Sequence, residues 1–122
     1  MSDTFRHVRV RDEGGVTEIT MLDQHILDEL VIRQIGEEID QAMVDASSAN
    51  MVLNFERVDH LSSSALGLLI TLNSRLQDRD GGLCLIHIAA PIAEVFRITR
   101  LDQVLRSEAD FASARSALLS EG

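Results

Sequence analysis

Three observations on this sequence predict an α/β fold with a mixed sheet. Two segments near the start alternate apolar and charged residues on either side of a Gly-Gly pair. Short apolar runs at 51–55 and 83–88 read as buried strands, and residues at helical spacing follow each of them. Strands that alternate with helices after an initial hairpin give the order β-β-α-β-α-β-α-β-α, with about five strands covered by about four helices. The 122 residues are 45% hydrophobic and 25% charged, the make-up of a globular chain long enough to bury a core without staples. No linker, repeat or low-complexity stretch divides them, so one domain over 1–122 is expected.

Val8-Arg9-Val10-Arg11 and Val16-Thr17-Glu18-Ile19-Thr20-Met21 flank Gly14-Gly15, which predicts a β-hairpin with one solvated face. After Leu22-Asp23 the period lengthens. Leu27, Val31, Ile35, Ile39, Ala42, Met43 and Ala46 share one stripe, while Asp28, Glu29, Arg33, Glu37, Glu38 and Asp40 fall mostly off it. An amphipathic helix follows from that spacing in spite of Gly36, which costs roughly 1 kcal/mol relative to alanine. Ser47-Ser48-Ala49-Asn50 ends it, and Met51 to Phe55 is the next strand. Glu56 to Leu61 reads as a loop.

Ser62-Ser63-Ser64 then opens a second helix, with Ala65, Leu68, Leu69, Leu72 and Leu76 at helical spacing and a stop at Gly81-Gly82. Leu83 to Ile88 is a strand. Pro91 suits the first turn of a short helix through Ile92, Val95 and Phe96. A last short strand is expected within Leu101 to Arg106, and Asp110 can cap a final helix that turns Phe111, Ala114, Ala117 and Leu118 inward.

Composition excludes several functions. Twenty acidic against 11 basic side chains leave a net charge of −9, and the basic residues, all arginine, are scattered along the chain. Such a field repels phosphate backbones and anionic membranes. With four Phe and no Trp or Tyr there are few rings for base stacking, so no nucleic-acid partner is expected. No segment approaches the roughly 20 apolar residues of a membrane span, so membrane insertion is not expected. No apolar run follows a basic start as a secretory signal would, and the single cysteine, Cys84, cannot form an internal disulfide; both favour the cytoplasm. Cys84 reads as a small core residue. His7, His25, His60 and His87 lack zinc-type spacing, and no metal or cofactor is expected.

The serine run is where chemistry concentrates. A helix start presents unpaired amide hydrogens and the positive end of the dipole, which makes serine a natural cap there. The same field accepts a phosphate, which would add roughly −1.5 to −2 charges to an already acidic surface. A serine hydrolase is a third reading, from His60 and Asp59 close by. It lacks a Gly-x-Ser-x-Gly elbow, and neighbours on one loop rarely align as nucleophile, base and orienter.

Val58-Asp59-His60-Leu61-Ser62-Ser63-Ser64-Ala65-Leu66-Gly67-Leu68-Leu69 resembles the signature of the STAS domain family of bacterial anti-sigma factor antagonists, a strand leading to Asp-Ser-Ser/Thr-Gly-Leu-Gly at a helix head. Downstream, Gly81-Gly82 before Leu83-Cys84-Leu85, then Ala90-Pro91-Ile92-Ala93-Glu94-Val95-Phe96 and Thr99-Arg100-Leu101, are similar to the family's order over nearly the whole chain. The resemblance implies a STAS-like domain without enzymatic activity that sequesters an anti-sigma factor, usually a serine kinase. Phosphorylation of the motif serine would block binding, and a phosphatase would restore it.

The family's serine pair falls on Ser63 and Ser64, with Ser64 the first choice of acceptor and Ser63 the alternate. Ser62, Ser63, Ser64, Leu66, Arg75, Phe96 and Arg97 are the implied contact residues, and Arg79 and Arg100 could join that rim. Two positions depart from the pattern. Ser62 stands for the family's acidic residue and Ala65 for its glycine, which predicts an acceptor hydroxyl without its neighbouring carboxylate and a stiffer loop-to-helix join. The alternative function is an unphosphorylated scaffold subunit of a signalling or transport-associated complex.

Overall fold

The computed structural model describes residues 5–46 and 48–120. β1 (Val8–Glu13) and β2 (Val16–Met21) pair antiparallel, with Val10 opposite Ile19 and Glu13 opposite Val16. Gly14 and Gly15 turn the hairpin at φ of 61° and 91°, a left-handed backbone that favours glycine. Then come β3 (His25–Ile26), α1 (Glu29–Asp45), β4 (Asn50–Asn54), β5 (His60–Leu61), α2 (Ser63–Asp78) and β6 (Gly82–Ile86). The chain finishes with α3 (Ala90–Ile98), a 3-10 turn (Leu101–Gln103), β7 (Arg106–Glu108) and α4 (Phe111–Ser120).

The main sheet has the order β1-β2-β4-β6-β7, and every pairing beyond the hairpin is parallel. This is the expected α/β architecture of a five-stranded mixed sheet with four helices. Strand alternation divides the core in two. Ile19, Met21, Met51, Leu53, Leu83 and Leu85 face α1, α2 and α3, whereas Val16, Val52, Cys84 and Ile86 lie under Ala114 and Leu118 of α4.

α1 starts later than its stripe suggested. Asp28 caps it, its carboxylate accepting from the Leu30 N–H at 2.8 Å. Leu27 therefore precedes the helix and is exposed, and Ile32 joins Ile35, Ile39, Ala42 and Met43 in the core instead. Ser47, in the run expected to end α1, lies outside the described residues. Gly36 has a packing reason: a Cβ there would stand 3.2 Å from Leu68 Cδ1, so its absence lets α2 approach.

The two helices run side by side with a nearly constant offset. Glu29 meets Ser64, Asp40 meets Arg75, and the carbonyl of Met43 accepts from Arg79.

Four expectations need correction. β3 and β5 pair in parallel as a separate two-stranded sheet, His25 with His60 and Ile26 with Leu61, where only loop was expected. The Leu101–Arg106 segment forms the 3-10 turn and delivers the buried Leu105, and the strand starts at Arg106. β6 stops at Ile86 because His87 turns to φ 56°, which breaks the extended backbone. At the end of α2 the left-handed residue is Asp80, not glycine; Gly81 is needed because a Cβ would sit 2.0 Å from the Ala49 carbonyl oxygen.

Candidate functional site

The serine run stands where the heads of α1 and α2 meet. Asn54, at the end of β4, accepts from the Glu56 N–H at 2.9 Å and starts the turn that leaves the sheet. Phe55 and Val58 bury their side chains beneath it. The chain is then tied to the segment before α1: the Asp59 N–H donates to the Gln24 carbonyl at 2.8 Å and the Ser62 N–H to the Ile26 carbonyl at 3.0 Å. The paired strands β3 and β5 thus hold both helix starts at one edge.

Ser62 is the N-cap of α2. Its hydroxyl oxygen accepts from the Ala65 N–H at 3.2 Å and its carbonyl accepts from the Leu66 N–H at 3.1 Å. Ser63 and Ser64 occupy the first turn and are exposed. The Ser64 hydroxyl donates to Glu29 Oε2 at 2.6 Å, a length in the range of charge-assisted bonds. Ala65 is buried at the top of the Leu69, Leu72 and Leu76 stripe, so the methyl that replaces the family's glycine packs into the core.

The motif position itself carries no carboxylate, since Ser62 stands there, but one faces Ser64 from elsewhere in the fold. Glu29 brings one from α1, 35 residues away in sequence. No local signal marks Glu29, because helix-stripe reasoning assigns it to a solvated face.

The other candidate residues are spread over the surface around this edge. Leu66 is half-buried and lines a shallow pocket of about 110 Å³ with His60, Leu61, Pro91, Ile92 and Val95. Arg75 lies three turns along α2 and bonds Asp40 at 2.6 Å, away from the serines. Arg79 reaches the Met43 carbonyl. Arg97 is exposed on α3 and paired with Glu94, and Arg100 is exposed where α3 ends, at φ 62°.

Phe96 corrects an expectation. Only 3% of it is exposed, and its ring anchors α3 to the core rather than facing a partner.

The hydrolase geometry does not form. The His60 ring packs edge-on against His25 with centroids 4.8 Å apart, the Asp59 carboxylate takes Gln24, and Ser64 points at Glu29. Among the described residues no hydrogen bond joins His60 to a serine. Nor do three His, Cys, Asp or Glu side chains group there to hold a metal. Cys84 is fully buried in β6, and burial, reinforced by Glu108, pushes its thiol up to about 11. Among the described residues no helix is long and apolar enough to cross a membrane.

Comparison with known proteins gives the same picture. A STAS domain protein from Planctomyces limnophilus superposes with a TM-score of 0.80 at 24% identity, over 90% of this chain and 96% of that one. An anti-sigma factor antagonist from Mycobacterium paratuberculosis gives 0.78 at 20% identity, over 92% of both chains. The Bacillus cell fate determinant SpoIIAA in its phosphorylated form gives 0.63 at 18% identity, over 84% of this chain and 92% of that one. These likenesses establish the fold. The model of the STAS domain family matches residues 16–114, from the second strand of the hairpin into α4, and the chain belongs to that family.

Proposed function

We propose that this protein is an anti-sigma factor antagonist, a single binding module over its whole length that sequesters an anti-sigma factor of the serine-kinase type. Phosphate on Ser64, with Ser63 the alternate acceptor, releases the partner, and a phosphatase resets the module. The observation that carries this reading is the pair of exposed serine hydroxyls on the first turn of α2, beside a cap that Ser62 alone provides. Modification of Ser63 or Ser64 leaves that cap intact, so helix α2 survives while its surface changes. Likeness to a protein known in a phosphorylated form supports the same reading.

The contact surface is the outward face of α2 around Ser63 and Ser64, with Leu66 and the shallow pocket beside Pro91 and Val95 receiving an apolar side chain. Ser62 contributes through the helix start it caps, Arg97 from the exposed side of α3, and Arg75 from the far end of the α1–α2 seam. On a chain of net charge −9 a phosphate adds repulsion at this face, so the effect weakens with salt. No catalysis, cofactor or nucleic acid enters, and the module works in the cytoplasm.

Affinity capture with the full chain from its native cell, followed by intact-mass measurement, tests the reading. A captured anti-sigma factor that uses ATP to add one phosphate to Ser63 or Ser64, and then lets go, supports it. Retention in a large unphosphorylated assembly, unaffected by alanine at both serines, overturns it in favour of a scaffold subunit.

A further inference from the structure

Ser63 and Ser64 are neighbours on one turn, yet their surroundings differ. Successive helix residues point about 100° apart, and only Ser64 reaches across to α1, donating its hydroxyl proton to Glu29 Oε2 at 2.6 Å. Glu29 is the first residue of α1. The contact therefore ties the head of one helix to the head of the other.

A hydroxyl can make this bond because it has a proton to give. A phosphate dianion on the same oxygen has none, and it would set about two negative charges against a carboxylate. First-turn amides and the helix dipole favour an anion at the head of α2 as they do at the head of α1, so each charge stays on its own helix and the repulsion falls on the contact between the two heads.

On α1 the segment from Leu27 to Val31 is held between two buried residues, Ile26 and Ile32. Between them Leu27, Asp28, Glu29 and Leu30 are exposed. The other charged or titratable groups at this edge are engaged elsewhere. Asp28 caps the Leu30 N–H, Asp59 takes Gln24, and the imidazoles of His25 and His60 pack on each other.

We propose that Glu29 is the residue that reads the state of Ser64: its carboxylate holds the free hydroxyl and repels a phosphate, so modification at Ser64, unlike modification at Ser63, parts the first turns of α1 and α2. Glu29 acts as a positioning residue. It selects Ser64 as the informative acceptor and extends the change from one side chain to the exposed Leu27–Leu30 segment. The inference rests on the phospho-switch reading above.

The full chain carrying phosphoserine at 64, installed during translation so that neither kinase nor partner is involved, is compared with its Glu29→Gln variant and with phosphoserine at 63. Glutamine keeps the size and an acceptor oxygen, removes the charge, and offers an N–H to the phosphate. Phosphorus NMR should place the second phosphate ionisation at 64 about half a pH unit or more higher with Glu29 than with Gln, and show no such difference at 63. Amide exchange at Leu30, bonded to the Asp28 carboxylate, and at Ile32, bonded to the Asp28 carbonyl, should be about tenfold faster with phosphoserine 64, and Glu29→Gln should abolish the increase. Equal ionisation with Glu and Gln, or the same opening from phosphoserine 63, overturns the proposal. Absence of a cognate kinase would sink the proposed function and leave these measurements standing.

Discussion

On one face of the sheet α1, α2 and α3 bury a continuous apolar layer from Val8 and Ile19 through Leu53 and Leu85 to Phe96 and Leu105. On the other face α4 alone covers Val16, Val52, Cys84 and Ile86 with Ala114 and Leu118. Charged groups are also placed differently. The three-helix face keeps Glu29–Ser64 and Asp40–Arg75 at its exposed rim. The α4 face instead holds Glu18, only 7% exposed, bonded to Asn54 at 3.3 Å and to Arg11 at 2.6 Å, with the Arg11 guanidinium 5.4 Å from the Phe111 ring centre.

The contrast separates two tasks. The larger buried layer lies under α1, α2 and α3, and the helix heads above it carry the exposed serines and the surface contact between Ser64 and Glu29. The thin layer closes the sheet and carries none of the candidate switch.

The largest test removes core from each face in turn. Leu85→Ala should cost about 2–5 kcal/mol in urea unfolding, because the cavity opens beneath well-packed helices. Leu118→Ala should cost less, since α4 can settle toward the sheet, and it should speed thiol labelling of Cys84 more than Leu85→Ala does. Equal losses, or equal labelling rates, would break the distinction between the faces.

A medium effect concerns the N-terminal edge of the three-helix face. His7 bonds Asp23 at 2.8 Å and Gln34 at 2.9 Å, and Glu38 accepts from the backbone N–H groups of Arg6 and His7. Burial alone would lower the imidazole pKa, but the bonds to Asp23 and Gln34 and the carboxylates of Asp23 and Glu38 outweigh it and raise it. A raised folded-state pKa means the charged form is favoured by folding. The contribution is complete below the unfolded value of about 6.5 and fades as pH rises through the folded value. The urea midpoint of the native chain should therefore fall as pH rises above about 6.5, and His7→Gln should remove that component. An unchanged slope in the variant would show that His7 does not secure this edge.

The smallest effect is expected at the rim. Arg75→Ala removes an exposed pair with Asp40, both side chains about half exposed, and should change stability by no more than about 1 kcal/mol, less at high salt. A larger loss would mean that the α1–α2 seam contributes to stability as the buried layer does.

Much of this was legible in the chain. Hairpin alternation, the Ile35–Ile39–Ala42 stripe, Pro91 and the Asp110 cap each depend on residues a few positions apart, and each of these elements is present, α1 with a later start. The position of β7 is not legible, because Arg106-Ser107-Glu108 has no apolar period to read. Nor are β3 and β5, because two residues cannot show a period at all.

The sequence by itself determined the order of the main elements, the capping serine at the head of α2 and the family motif, all of them products of local spacing. Tertiary structure alone decided that Phe96 turns inward, that His60 meets His25 instead of a serine, and that the Glu29 carboxylate accepts from Ser64. The reason is one of range. Periodicity and caps act within a turn or two, whereas the partner of Ser64 lies 35 residues back and is brought near only when two parallel helices pack on one sheet.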